Sequence, residues 1–298
     1  MTETDRCGFV AVIGAPNAGK STLVNVLVGQ KVAIVSAKAQ TTRTRLVGIA
    51  IEGRSQILLL DTPGIFEPRR RLDRAMVAAA WTGAQDSDLT MLVIDSHAGI
   101  GAEFDRIAGS LKGRGEKLFL VLNKIDLVRK PQLLALSAAL TELLEPRQVF
   151  MVSATDGDGV ADLKAALAEA MPAGPWHFPA DQLSDATDRM VAAELTREQL
   201  YEQLHQELPY ASAVETESWE ERPGATVIHQ QILIERDSQK AIVIGKGGSR
   251  LKAIGAAARE AIAEHLGRKV HLFLHVKVNP RWGEDRTFYR EIGLDWAE

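Results

Sequence analysis

Gly14-Ala15-Pro16-Asn17-Ala18-Gly19-Lys20-Ser21 fits the spacing G-x-x-x-x-G-K-[ST], with the apolar run Phe9 to Ile13 before it and a helical pattern from Ser21 to Val28 after it. Each part has a physical task. The apolar run supplies a buried parallel strand, and the glycines let the backbone close around phosphate oxygens. Ser21 and Thr22 open a helix whose N-terminal amides face the anion. Lys20 is placed to reach the β and γ phosphates, and the Ser21 hydroxyl to hold Mg²⁺. A glycine turn could match this spacing by itself, so the reading depends on whether other strand ends of the chain carry matching chemistry.

The 298 residues exceed one average domain and predict two, each with its own core. With 46% hydrophobic and 25% charged residues, composition is that of a globular protein, and no run reaches the ~18 apolar residues of a membrane span. The acidic, polar opening Met1 to Asp5 gives no expectation of a secretory signal. A single cysteine, Cys7, excludes an internal disulfide and a cysteine zinc site, and its expected place is a small buried residue entering the first strand. These features fit a reducing cytoplasm. A net charge of −4 argues against a nucleic-acid partner only if charge is spread evenly along the chain.

Strands are predicted at 7–14, 46–52 and 56–61, the last two as a hairpin turning near Glu52-Gly53. Strand-like runs at 89–95, 117–122 and 148–152 then alternate with helical patterns near 72–83, 103–113, 131–145 and 160–171. This is the pattern of an α/β domain with an open, mainly parallel sheet whose ligands sit at the carboxyl ends of the strands, and together with the phosphate-binding stretch it resembles a Ras-like P-loop nucleotide fold. Further matches fall at those ends. In Asp61-Thr62-Pro63-Gly64 the carboxylate can order water on Mg²⁺ and the Gly64 amide can sense a γ-phosphate. In Asn123-Lys124-Ile125-Asp126 the Asp126 carboxylate can accept two donors from the guanine edge, which adenine does not offer. Asn123 is placed to contact the base and the ribose-side loops, and the Lys124 stem to cover the purine face. Ser153-Ala154-Thr155 can present a backbone amide to the guanine oxygen. Alone, each reads as a strand-end turn or a helix cap; four in this order predict a GTP/GDP site.

Two positions bear on hydrolysis. Ile65 stands where signalling GTPases of the Ras type carry the glutamine that orients water, so slow intrinsic turnover is expected, with another stabiliser for the charge between the β and γ phosphates. Asn17 resembles the asparagine that recruits a potassium ion in bacterial GTPases, which makes K⁺ the first candidate. The polar, basic stretch Ser36 to Arg45 behaves as a switch loop whose Thr42, with Thr41 as the near alternative, completes the Mg²⁺ shell when γ-phosphate is present. Expected catalytic participants are thus Asn17, Lys20, Thr42 and Gly64. A second switch is expected from Asp61 through the basic stretch Glu67 to Arg74, including Arg69, Arg70 and Arg71.

The stretch 172–179 holds three prolines and a glycine and predicts an extended connector rather than a packed element, giving a nucleotide domain over 1–172, a linker over 173–183 and a second domain over 184–298. In the second domain an amphipathic helix is read over 188–208 and strands over 211–218 and 226–235. A short helix, 238–244, then meets Gly245-Lys246-Gly247-Gly248, and a longer helix over 249–265 precedes a strand over 270–278. That order is the α+β arrangement of a type II KH domain, whose glycines admit single-stranded nucleic-acid backbone beside an apolar groove for about four bases. Residues 236–281 carry ten Lys or Arg against three Asp or Glu, a local +7 inside the acidic chain. Lys246 and Arg250 are the expected phosphate contacts. Ile242, Ile244 and Leu251 are plausible groove residues and equally plausible core. His271 and His275 share a strand face, with no cysteine or carboxylate neighbour in sequence to make a metal site.

A nucleotide domain with Asn17 and Ile65 at these places, joined to a Gly-x-x-Gly domain, resembles the Era-like family of bacterial P-loop GTPases with a C-terminal KH domain. The resemblance also rests on Gln40 to Arg43, Glu207-Leu208-Pro209-Tyr210, Gln239-Lys240, and Val276-Lys277-Val278 followed by Trp282. It implies a cytoplasmic factor, partly associated with the inner face of the membrane, that acts in assembly of the 30S subunit. The implied RNA is the single-stranded 3′ end of 16S ribosomal RNA, with no DNA partner. From the residues alone two other readings stand beside it: a switch whose second domain binds a protein or membrane, and an RNA-binding module whose nucleotide is only structural.

Overall fold

The structure, a computed structural model, describes residues 4–36, 38, 42–43, 46–68, 70–111, 113–205 and 207–297. Thr41 and Arg69, both named above as switch residues, lie outside the described residues, as does Gln40. The chain divides into two compact units. One comprises Met1–Ala33, Thr42–Asp185 and Ile292–Glu298, and the other Ile34–Thr41 and Ala186–Glu291.

In the first unit, strands β1 (Arg6–Ile13), β2 (Leu46–Glu52), β3 (Ser55–Asp61), β4 (Leu89–Asp95), β5 (Leu118–Asn123) and β6 (Gln148–Met151) form one sheet in the order β2-β3-β1-β4-β5-β6. Only β2 runs antiparallel, to β3, through the hairpin predicted at Glu52-Gly53. The parallel strands are continuous apolar runs because both faces are covered. One face meets α1 (Lys20–Val28) and α5 (Val160–Ala170) around Val10, Val12, Leu23, Leu163 and Leu167. The other meets α2 (Arg71–Asp86), α3 (Ala102–Leu111) and α4 (Lys130–Leu144) around Ala11, Ile13, Ala80, Ile107 and Leu140. Parallel registers Val12↔Asp61 and Asp95↔Asn123 bring the motif-bearing strand ends to one edge of the sheet.

The connector differs from the reading as an unpacked spacer. It is extended, but it is bound along the exposed edge of the sheet. Ile49 donates its N–H to Leu183 (2.9 Å), and the N–H and carboxylate of Asp185 both engage Val47 (3.2 and 2.8 Å). Gln56 on β3 accepts from the amides of His177 and Phe178 (2.9 and 3.0 Å) and donates to the Phe178 carbonyl (2.8 Å). Trp176 and Phe178 pack on Cys7, Val47, Ile49, Leu58 and Leu60. An edge strand leaves a row of unpaired backbone groups, and prolines hold the segment extended enough to pair with it.

The second unit has strands β7 (Ser212–Arg222), β8 (Ala225–Ile234) and β9 (Lys269–Val278) in that order, with β7–β8 antiparallel and β8–β9 parallel. Helices α6 (Asp188–Gln203), α7 (Asp237–Ile244) and α8 (Ser249–Leu266) cover one face through Leu195, Leu200, Ile228, Ile232, Val243, Ile254 and Ile262. A short α9 (Arg286–Glu291) comes after β9. Two boundaries differ from the sequence reading. Helix α6 ends at Gln203, where Leu204 turns extended, yet Leu204 and Leu208 still enter the core. Strand β7 continues through the charged run to Arg222 and turns at Pro223-Gly224, with a bulge between Thr216 and Ser218, because its solvent face tolerates charge. Cys7 is buried beside Gln56, and burial pushes its thiol up.

Candidate nucleotide site and nucleic-acid interface

The first site begins where β1 ends. Gly14 and Gly19 both adopt positive φ, and a Cβ would fall 2.3 Å from the Val93 carbonyl oxygen at Gly14 and 2.2 Å from Asn123 Nδ2 at Gly19. Only glycine fits both places. Between them Pro16 abuts Gly64, and exposed Asn17 takes the left-handed conformation. No side chain caps α1, so its first amides remain available to an anion. Lys20 is buried and folds over its own loop, donating to the carbonyls of Gly14 (3.2 Å) and Ala15 (3.0 Å). Burial lowers its pKa to about 8, and the carboxylate of Asp61 works against that shift.

Three oxygen-bearing side chains from distant parts of the chain meet beside this loop. The Ser21 and Thr42 hydroxyls lie 2.9 Å apart, and they donate to Asp61 Oδ2 at 2.9 and 3.0 Å. Asp61 is fully buried, and burial raises its pKa even with Lys20 and both hydroxyls opposing. Its Oδ1 is buried and, among the described residues, has no hydrogen-bond partner. Two hydroxyls beside a carboxylate with one buried oxygen left open are an all-oxygen donor set that fits a small hard divalent cation. Next along the chain, Thr62 donates to the Val12 carbonyl (2.7 Å), Pro63 is buried, Gly64 is buried against Pro16, and the Ile65 N–H donates to the Gly14 carbonyl (3.0 Å). The Ile65 side chain is fully buried in the core under α2.

The stretches expected to meet the base close the other side. Asn123 donates to the Ala18 carbonyl (2.9 Å) and accepts from the Ala154 amide (3.0 Å), so one buried carboxamide joins the phosphate loop to the loop after β6. Lys124, at positive φ, donates to the Asn17 carbonyl (2.7 Å) and to Asp95 Oδ2 (2.6 Å). Partial burial works against ionisation of Asp95, but the Lys124 ammonium and the amides of Ala98 and His97 outweigh it and hold the carboxyl below its usual range. Ile125 is half-buried, and the Asp126 carboxylate stands exposed in a short helical turn. Ser153 is buried and its hydroxyl accepts from the Asp156 amide (3.2 Å). Asp95 belongs to no motif. Its signal in the sequence is its position at the carboxyl end of β4, where the other site residues also fall.

In the second unit Gly245, Gly247 and Gly248 all have positive φ, and a Cβ on Gly245 would lie 2.8 Å from that of Arg250. Lys246 is exposed and Arg250 half-buried at the start of α8. The three apolar candidates separate: Ile242 is 50% exposed, whereas Ile244 and Leu251 pack partly on the core. Among the described residues, no group of three or more His, Cys, Asp or Glu could hold a metal, and no helix is long and apolar enough to cross a membrane.

Comparison with known proteins finds a family model in each half of the chain. Residues 9–124 match the family model described as 50S ribosome-binding GTPase, and residues 207–283 match the KH domain model. The chain is 57% identical over 303 residues to GTPase Era of Erythrobacter litoralis, covering 100% of both. It is 58% identical over 292 residues to GTPase Era of Bradyrhizobium sp. strain ORS 278, covering 98% of this chain and 95% of that one. Its structure is similar to that of a point variant of Era from Aquifex aeolicus bound to GDP.AlF4-, with TM-score 0.91 and 35% identity, covering 97% of this chain and 99% of the other. With the same identity and coverage, it is similar at TM-score 0.92 to Era in complex with MgGDPNP and nucleotides 1506–1542 of 16S ribosomal RNA. With the two folds in this order and these identities over nearly the full length of each relative, the chain belongs to the Era family of GTPases.

Proposed function

We propose that this chain is a GTP-hydrolysing switch that binds the single-stranded 3′ end of 16S ribosomal RNA through its Gly-x-x-Gly unit, acting in assembly of the 30S subunit. The observation that carries the switch is the meeting of Ser21, Thr42 and Asp61 around an unpartnered buried oxygen. It would tie the phosphate loop, the first switch and the end of β3 to one cation. When bound, Mg²⁺ supplies positive charge to the phosphates; Ser21 and Thr42 would hold it directly, and Asp61 through water.

The protein groups divide the remaining work. Lys20, whose ammonium now rests on two loop carbonyls, turns to the β and γ phosphates and neutralises their charge. The Gly64 amide reads the γ-phosphate, and Asp126 selects guanine by accepting two donors. The exposed Asn17 would help to hold a K⁺ ion at the phosphates, supplying charge in a site without the water-orienting glutamine. In the second unit Lys246 and Arg250 take phosphates, the glycine turn admits the RNA backbone, and Ile242 offers an open apolar surface to bases, with Ile244 and Leu251 supporting it. The family resemblance further supports a cytoplasmic protein, a fraction of which sits at the inner face of the membrane.

The deciding experiment measures binding of an RNA matching the 3′ end of 16S ribosomal RNA, against a scrambled RNA, with a non-hydrolysable GTP analogue and with GDP. Selective binding that strengthens with the analogue is expected, and no preference in either state overturns the RNA assignment. Turnover in K⁺ against Na⁺, for the wild type and Asn17→Ala, tests the cation: equal rates in all four conditions overturn it. Flotation with anionic vesicles tests the membrane fraction, and its absence removes that part of the reading.

A further inference from the structure

The face of the β7-β8-β9 sheet turned away from the helices carries an arrangement that the Gly-x-x-Gly site does not use. Along β9 the residues alternate strictly: Val270, Leu272, Leu274 and Val276 pack towards the helices, while Lys269, His271, Phe273, His275 and Lys277 are exposed. Phe273 is 54% exposed and lies in register with His229 on β8. The two rings are stacked, with centroids 4.7 Å apart and planes 16° from parallel. The solvated face of an antiparallel or mixed sheet is normally polar. A flat pair of rings open to solvent offers a face on which a further planar ring can stack.

Charge on this face is divided by strand. The open side of β9 has two lysines and two histidines and no acid, within the segment of net +7. The acids gather on β7, each engaged by a partner, and one of them reaches across to β9. Glu217 lies 3.4 Å from His275, Glu215 accepts from Gln231 (2.7 Å), Glu220 pairs with Arg222 and Glu221 with Arg268 (both 2.8 Å). A polyanion would therefore follow β9 and avoid β7. Lys269 and Lys277 each stand four residues from Phe273, about 13 Å along the strand.

We propose that Phe273 and His229 form a second RNA contact, a platform on which a base of single-stranded RNA stacks while its backbone follows Lys269, His271 and Lys277. Because every base has a π face, the platform adds affinity and length dependence rather than sequence selectivity. It would extend the RNA path beyond the about four nucleotides that the Gly-x-x-Gly groove accommodates. This inference rests on the RNA-binding reading above, and the test separates the two.

The full-length protein is titrated with a tetranucleotide from the 3′ end of 16S ribosomal RNA and with an RNA of the same origin about three times as long. A 2-aminopurine placed outside the tetranucleotide reports stacking by its quenching. The wild type should bind the longer RNA more tightly and quench the probe. Phe273→Ala should lose about tenfold on the longer RNA, leave the probe bright, and keep tetranucleotide binding and GTP turnover unchanged. Phe273→Trp should restore the wild-type behaviour. If Phe273→Ala binds the longer RNA as the wild type does, the platform is overturned. If the wild type binds neither RNA, the RNA-binding reading fails first and the platform with it.

Discussion

The Asn123 side chain donates to the Ala18 carbonyl at 2.9 Å, and its oxygen accepts from Ala154 at 3.0 Å, so one residue fixes the distance between the phosphate loop and the loop expected to meet guanine. Both partners are buried. Asn123→Ala leaves a carbonyl and an amide without partners and should cost about 2 kcal/mol of stability, read by chemical denaturation. GTP and GDP affinity should fall together, because the residue positions both halves of the site. A loss confined to one nucleotide would contradict that role.

Asp95 and Lys124 give a pH signature. A carboxyl held below its usual range in the folded state stabilises above its unfolded value of about 3.9 and loses that contribution as pH falls through the lower folded value. The stability difference between wild type and Asp95→Asn should therefore be constant from neutral pH to about 5 and shrink below about 4. A difference that grows on acidification has the wrong sign for this pair.

Asp126 is exposed, and the role proposed for it in base recognition is that of an acceptor. Asp126→Asn replaces one acceptor with a donor, so GTP affinity should fall by at least about 100-fold. Xanthosine triphosphate, with an oxygen in place of the 2-amino group, should gain. Competition binding with the two nucleotides reads both changes, and unchanged GTP affinity would remove Asp126 from base recognition.

At position 65 the obvious repair should fail. The Ile65 side chain is fully buried under α2, although its backbone touches the phosphate loop. Ile65→Gln buries a carboxamide in apolar surroundings and should destabilise by about 2 kcal/mol or more, without raising turnover. Faster hydrolysis in this variant would mean that the side chain leaves the core in the reacting state.

Gln56 holds the connector by accepting from His177 and Phe178. Gln56→Ala should cost about 2 kcal/mol and speed amide exchange at those two residues ahead of global unfolding. Protection that stays unchanged would show that the backbone pairing with β2 suffices.

The candidate sites were legible because their parts are contiguous: Gly14 to Ser21, Asp61 to Gly64 and Asn123 to Asp126 in the nucleotide site, and Gly245 to Gly248 in the nucleic-acid interface, each carry their geometry in a few neighbouring residues. Apolar runs alternating with helical periodicity likewise determined the two folds and their order, since burial on both faces of a parallel sheet demands that pattern. Pairings between distant residues were decided only by tertiary structure. The sequence says that Asp95 ends a strand, but the register between β4 and β5 sets it against Lys124. It says that 173–183 is extended, but the open edge of β2 captures it. It says that Ile65 cannot orient water, but the packing of α2 turns that side chain into the core. Likewise Phe273 is one apolar residue among several on β9, and only the register with β8 lays it on His229 and leaves both rings facing solvent. Local spacing follows from the chain's own geometry, whereas register and edge pairing are fixed by side chains that meet only after the sheet has formed.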